Sequence, residues 1–150
     1  MRPEITVRQF EGKQLLGIAR HHALVTDRTV EDGGTDVGFT SGELFLTAIG
    51  SYAIGSLRTF FEQLETPGEG MCAEVFFEPA AGGGRGRIVI ALRFDPALLE
   101  AGAGAIAAAV AAGGVTQRVK LGSEIEVRFA PPLREKGSRV PAAESHQEKK

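Results

Sequence analysis

Residues 42–57 have the sequence GELFLTAIGSYAIGSL, and this stretch is the strongest indication of how the chain folds. Its large apolar side chains leave no clearly polar face before Arg58, which is typical of a helix that is covered on nearly all sides. Thr40 and Glu43 have the spacing of a capping box, so we expect the helix to begin there and to end near Leu64. A chain of 150 residues can rarely cover such a helix alone, which favours a homodimer that wraps around it.

Small residues interrupt the predicted helix at its centre. Gly50 and Gly55 each cost about 1 kcal/mol of helix propensity relative to alanine, which indicates that another element packs close against the backbone there. Thr47, Ser51 and Gly55 are spaced by four and form a ridge of small residues. Two explanations of the ridge stay open: a closely crossing helix, which we favour, and a pocket for a small ligand.

The composition is that of a globular protein. Apolar residues make up 43% and charged residues 24%, and the net charge is −2, so neither a disordered chain nor a nucleic-acid-binding protein is indicated. We expect one domain over residues 1–130 and a disordered charged tail over residues 131–150. The N-terminus lacks an apolar leader, and the uncharged apolar run of residues 44–57 is short for a bilayer span. These features predict a cytoplasmic location without membrane contact.

Alternating patterns place the strands. Six stretches have this alternation, namely residues 5–10, 13–20, 23–26, 71–78, 85–95 and 123–129. The acidic and glycine-rich residues 27–39 predict a loop. The order of the elements indicates an α+β protein with mainly antiparallel sheet.

A second helix is predicted to follow the fifth of these strands. Asp95 is the expected N-cap and Pro96 the first helical residue. Leu99, Ile106 and Val110 form its expected buried stripe. The glycine pair at residues 113–114 should break or bend this helix.

Few side chains suit metal or redox chemistry. Cys72 is the only cysteine, which excludes an intrachain disulfide and a thiolate zinc site, and its strand position favours a small buried apolar role over that of a nucleophile. His21 and His22 are adjacent, so turn or edge positions are favoured over metal ligation. Glu43 is either a helix cap or a buried acid in a pocket, and the cap is favoured. We predict no metal and no cofactor.

Three motifs carry a resemblance to a known family. They are HALVTD at residues 22–27, GGTDVG at residues 33–38 and TSGELFLTAIG at residues 40–50. In this order and spacing they resemble the loop, cap and helix of the OsmC/Ohr family, although Phe39 and Ser41 replace positions that are commonly proline. The resemblance covers most of residues 1–130. It implies an OsmC-like α+β fold, with mainly antiparallel sheets around two central helices in an intertwined homodimer.

The resemblance also implies thiol peroxidase chemistry, in which one cysteine reduces an organic hydroperoxide and a second closes a disulfide. The first family cysteine falls on Tyr52 and the second on Gly113. A phenol oxygen cannot be oxidised to a sulfenic acid, so we expect that the peroxidase activity is lost. The family's substrate-positioning arginine falls among the N-terminal strands, with Arg20 and Arg8 as candidates.

Three functions stay open. The first is the binding of a small apolar or amphipathic molecule in a dimer-interface pocket formed by Glu43, Ser51, Tyr52 and Arg20. The second is hydroperoxide reduction or another redox activity through Cys72 as an alternative thiol. The third is a structural or interaction homodimer without catalysis. Binding comes first, because a shared fold does not transfer an activity when the site residues have changed.

Overall fold

The computed structural model describes residues 5–66, 68–122 and 125–128. The strands are β1 (Thr6–Gln9), β2 (Leu15–Ala19), β3 (His22–Thr26), β4 (Cys72–Glu78) and β5 (Arg87–Arg93). The helices are α1 (Ser41–Gln63), α2 (Ala103–Ala111) and α3 (Gly114–Leu121), with short 3₁₀ helices at Ala81–Gly83 and Pro96–Ala101. The chain is therefore α+β with antiparallel strand pairs, as the sequence predicts.

The strands β1, β2 and β3 form an antiparallel meander. Val7 pairs with Gly17, which pairs in turn with Leu24. Directly paired residues lie on the same face of a sheet, and here that face is open: Val7 and Leu24 are 60% and 43% exposed. Residues 27–39 form the predicted loop between this sheet and α1.

The capping box predicted for α1 is present. The Thr40 hydroxyl accepts a hydrogen bond from the Glu43 backbone N–H at 3.2 Å, and the Glu43 carboxylate accepts one from the Thr40 N–H at 2.8 Å. The described chain covers one side of the helix rather than nearly all of it, since Phe45 and Tyr52 are 50% and 38% exposed. The buried residues of α1 are Ile49, Gly50, Ala53, Leu57 and Phe61.

The antiparallel hairpin of β4 and β5 packs one face against α1. A Cβ atom at Gly50 would lie 3.0 Å from Cγ2 of Val75, so this glycine lets the strand approach the helix closely, as expected. Ile90 pairs with Val75 and packs on the core from the same face. The core consists of Ala53, Leu57, Phe61, Leu98, Ile106 and Val110.

The second predicted helix is broken into parts. Asp95 caps the 3₁₀ helix by accepting from the Ala97 N–H at 2.9 Å, but Gly102 has a φ of +90° and α2 begins only after it. Leu98 is consequently buried, at 6% exposure, while Leu99 is 50% exposed. The prediction that Leu99 shares the buried stripe is wrong, because a positive φ interrupts the helical period. The predicted break at residues 113–114 separates α2 from α3.

The predicted last strand is not formed by the residues that the structure describes in that region. Residues 125–128 have no regular secondary structure, and Ile125 and Val127 are 87% and 77% exposed. A strand needs a neighbour for its backbone groups, and no described segment pairs with these residues. The remaining residues of that prediction, and the tail at 131–150, lie outside the described ranges.

Helix α1 is long and apolar enough to cross a membrane by length and composition alone. The uncharged apolar run of residues 44–57, which is short for a bilayer span, is only part of this 23-residue helix. Core helices of soluble proteins pass the same test. Helix α1 supplies half of the buried core residues, and it carries an exposed ion pair between Arg58 and Glu62 at 3.0 Å.

Asp27 anchors the loop that leads into α1. It is 4% exposed, and its carboxylate accepts hydrogen bonds from the Thr35 hydroxyl at 2.6 Å and from the backbone N–H groups of Thr35 and Arg28 at 2.9 and 2.8 Å. The Thr35 hydroxyl, together with the backbone N–H groups, outweighs the effect of burial and lowers the pKa of Asp27 from 3.8 to about 2. An ionised carboxylate therefore holds the loop.

We expect Asp27→Asn to destabilise the fold more strongly near neutral pH than in acid. The pKa of Asp27 is lower in the folded than in the unfolded state, so the carboxylate stabilises the fold fully above about pH 4 and loses this effect as the pH falls toward about 2. In urea unfolding, the difference between the two proteins should shrink over that window. Asp36→Asn is the control, because Asp36 is exposed on the same loop. If the loss of stability caused by Asp27→Asn did not depend on pH, the stabilising role assigned to the ionised Asp27 carboxylate would be wrong.

Candidate functional site

Tyr52 lies at the middle of α1 and bonds to the start of α3. Its hydroxyl oxygen accepts a hydrogen bond from the Gly114 backbone N–H at 2.9 Å. The first N–H groups of a helix have no partner within the helix, so the phenol satisfies one of them. The aromatic ring therefore spans from the central helix to the α2–α3 junction.

Gly113 lies directly against the ring of Tyr52. A Cβ atom at this position would be 2.5 Å from Cε1 of Tyr52 and 3.0 Å from Oγ of Ser56. No side chain fits there unless the ring moves. The two positions that the resemblance assigns to the family cysteines are thus in contact, and they hold a phenol and a residue without a side chain.

A separate cleft runs between α1 and β4. Its volume is about 750 Å³, within the range of small-molecule sites. Thr47 and Ser51 contribute hydroxyl groups from α1, and Glu43 lies at the helix start. The other lining residues are Phe39, Leu46, Gly50, Ile54, Met71, Cys72, Ala73 and Val75. We refer to this space as the α1–β4 cleft.

Part of the small-residue ridge lines the cleft. Thr47 and Ser51 face the cleft beside β4, so both explanations of the ridge, a closely crossing helix and a pocket for a small ligand, stay predictions. Nothing in the part of the protein that the structure describes lies within 4 Å of a Cβ at Gly55. The close packing expected at Gly55 is therefore not found within the described chain, where β4 approaches the helix near Gly50.

Glu43 acts as the helix cap and also lies at the cleft. Its side chain is exposed, so the alternative of a buried acid does not apply. The Thr40 backbone N–H, and then the Thr40 hydroxyl, lower the pKa of Glu43 because both bonds favour the ionised form. The cleft consequently has a negative charge at this end.

Cys72 is exposed, and the expected burial is wrong. It is the first residue of β4, where Ala73 and Val75 are the residues that face Gly50. Alternation predicted two faces for this strand but could not tell which one packs on the helix. Cys72 pairs in register with Arg93, whose guanidinium bonds the Glu74 carboxylate at 2.9 and 2.8 Å.

The residues that were predicted to share one pocket lie at separate places in the structure. Glu43 and Ser51 line the α1–β4 cleft together with Cys72, whereas Tyr52 contacts Gly113 and is not among the lining residues. Arg20 lies exposed in the turn between β2 and β3, with a φ of +55°, and does not line the cleft. Arg8 is exposed on β1 and does not line it either.

The two histidines occupy the expected turn and strand end. His21 lies in the turn and His22 begins β3, with ring centroids 4.1 Å apart. In the ranges that the structure describes, no cluster of His, Cys, Asp and Glu side chains could hold a metal ion. The hydrogen bond from Gly114 to Tyr52 was not predicted, because the two residues are 62 positions apart and no local pattern connects them.

Among the comparisons with known proteins, only the comparison of structures identifies the fold. No protein-family model matches the chain, and no curated protein has a significantly similar sequence. A crystal structure from Psychrobacter arcticus, described as an osmotic stress induced and detoxification response protein, matches with a TM-score of 0.61 at 18% identity, over 78% of this chain and 88% of that one.

A second match is an organic hydroperoxide resistance protein OsmC from Legionella pneumophila, described as a predicted redox protein. Its TM-score is 0.51 at 15% identity, and the match covers 77% of this chain and 88% of that one. At these identities the likeness establishes the fold. The chain has the OsmC-like α+β fold that the sequence motifs predict.

Proposed function

We propose that this OsmC-fold chain has lost thiol peroxidase activity and binds a small apolar or amphipathic molecule in the α1–β4 cleft. The observation that carries the proposal is the contact of Tyr52 with residues 113 and 114. Peroxide reduction needs a thiolate that attacks the peroxide oxygen and a second thiol that closes a disulfide. Both positions lack sulfur.

The shape and chemistry of the cleft support the binding of an apolar ligand. Leu46, Ile54 and Val75 supply apolar surface, and two hydroxyl groups on α1 supply polar contacts. A largely apolar cavity with a few polar groups is the usual form of a small-molecule site. The Glu43 charge at one end disfavours ligands with an anionic head group in this cleft.

The binding proposal is tested with 1-octanol and 1-naphthol in a thermal unfolding assay. At about 100 times its Kd, a ligand should raise Tm by about 5 °C or more. Thr47→Trp should abolish the shift by filling the cleft, whereas Thr59→Trp, on the same helix but outside the cleft, should preserve it. An absence of any shift, or an equal shift in both variants, would rule the cleft out as the site.

We also propose that two copies form a cytoplasmic homodimer. Phe45 on α1 and Val7 and Leu24 on the meander are exposed, and they line a common cavity of about 480 Å³. A second copy would remove this apolar surface from water. The N-terminal meander makes few contacts with the rest of its own chain. Its surface is therefore available for contacts with the second copy.

The dimer is tested by light scattering during size-exclusion chromatography. We expect twice the mass of 15.9 kDa for the natural chain and a monomer for Phe45→Glu. Phe76→Glu should remain dimeric, because Phe76 lies on the face of β4 opposite α1, beside the ion-paired Glu74 and Glu78. A monomeric natural chain would refute this part of the proposal.

A second candidate function is redox chemistry through Cys72. Its exposure, its position in the α1–β4 cleft and the pairing with Arg93 favour it. A hydroperoxide would transfer its terminal oxygen to the thiolate and leave as an alcohol, and an external dithiol would then reduce the sulfenic acid to thiol and water. Iodoacetamide should label Cys72 of the folded protein rapidly if this function operates; labelling only after unfolding would exclude it.

A further inference from the structure

A second cavity lies between the end of the β4–β5 hairpin and α3. Its volume is about 600 Å³, and it shares no lining residue with the α1–β4 cleft. Ile90 of the hairpin and Val119 of α3 contribute to an apolar floor. We refer to this space as the hairpin cavity. Its size is that of a small-molecule site.

Cationic side chains surround the hairpin cavity. Arg85 and Arg87 come from the hairpin and Lys120 from α3. Arg87 is paired with Glu78 at 2.6 Å, whereas Arg85 and Lys120 have no acidic partner within 4 Å in the described residues. The whole chain has a net charge of −2. A local excess of positive charge above an apolar floor is therefore a specific feature of this cavity.

Thr116 adds an unpaired hydroxyl group to the same cavity. It lines the space, and its oxygen is buried without a hydrogen-bond partner among the described residues. A buried hydroxyl normally has a partner, so an unpaired one calls for a group that completes it. The oxygen has almost no accessible surface, so a ligand oxygen would accept the Thr116 hydrogen after a side chain at the cavity wall moves aside.

We propose that the hairpin cavity binds an amphiphile with an aliphatic chain and an anionic head group, either a carboxylate or a phosphate. Arg85 and Lys120 pair with the head group, the hydroxyl of Thr116 donates to one of its oxygens, and the chain lies on the apolar floor. Arginine and lysine form charge-assisted hydrogen bonds to both head groups. This site is independent of the ligand proposed for the α1–β4 cleft, which has a carboxylate at its entrance.

The test is calorimetric titration of the full chain with decanoate and with decyl phosphate, below their micelle concentrations. Decanol, which has no charge, is the ligand control. The double variant Arg85→Gln/Lys120→Gln should bind the better anionic probe at least about tenfold more weakly. Arg118→Gln, exposed on α3 but outside the cavity, should bind it as the natural chain does. Equal Tm values of the three proteins would confirm that they are folded alike.

Thr116→Val separates a ligand contact from a structural role. We expect this variant to bind the anionic probe more weakly and yet to unfold at an equal or higher temperature, because an unpaired hydroxyl is removed. Thr47→Trp should leave the anionic probes unaffected, so the outcome is distinguishable from that of the cleft. No binding of either anionic probe, equal binding of decanol, or unchanged binding by the double variant would overturn the proposal.

Discussion

Gly113→Ala is expected to lower the free energy of unfolding by about 1–3 kcal/mol. The new Cβ atom would lie 2.5 Å from the Tyr52 ring, which is held by its bond to Gly114. The backbone itself tolerates alanine, because Gly113 has a φ of −62°. The cost is therefore steric, and it arises at the contact between residue 113 and the Tyr52 ring.

A double-mutant cycle with Tyr52→Ala isolates that contact. In the Tyr52→Ala background, Gly113→Ala should cost little, because the space beside it is open. Gly104→Ala is the control: nothing lies within 4 Å of its Cβ, and alanine gains up to about 1 kcal/mol of helix propensity. Urea unfolding measures all of these variants. An equal cost of Gly113→Ala in both backgrounds would show that the ring is not what excludes the side chain.

Phe61→Ala is expected to destabilise the protein by about 3–5 kcal/mol. Phe61 is fully buried and lies edge-on to Phe60 and Phe94, with ring centroids 5.3 and 6.3 Å away. Its removal leaves a cavity where α1 meets the core. A loss of this size is a large part of the stability of a domain, roughly 5–15 kcal/mol.

Two further variants keep the Phe61 prediction measurable if the alanine variant does not fold. Phe61→Leu retains most of the apolar volume and should cost less than the alanine variant. Phe76→Ala should have a small effect, because Phe76 is 43% exposed on the outer face of its sheet. If Phe76→Ala lowered the free energy of unfolding as much as Phe61→Ala, the assignment of Phe61 to the core and of Phe76 to the surface would be wrong.

Local chemistry made much of the fold predictable. The capping box at Thr40 and Glu43 and the alternation of the strands depend on neighbouring residues, which the sequence displays directly. The break at Gly102 was not predicted, because a glycine inside a helical pattern does not show whether it adopts the positive φ that interrupts the helix. Residues 125–128 were wrongly predicted to be part of a strand. Alternating apolar and polar residues suit a strand, but they do not show whether another strand is available to pair with it.

The site was predictable only in part, for geometric reasons. Glu43 and Ser51 are eight residues apart on a helix, which places them near one face and in one cleft. Tyr52 is one residue further, about 100° around the helix axis, and so it contacts the α2–α3 junction instead. A stricter use of the helical period would have separated Tyr52 from Ser51 at the outset.

A dithiol-coupled peroxidase assay with cumene hydroperoxide tests whether the thiol peroxidase activity is lost. It compares the natural protein with Cys72→Ser and Tyr52→Cys. We expect the natural protein and Cys72→Ser to show the same background rate, because Tyr52 and Gly113 occupy the positions implied for the two thiols. Turnover by the natural protein that is lost in Cys72→Ser would contradict the account, since a relocated thiol would then carry the reaction.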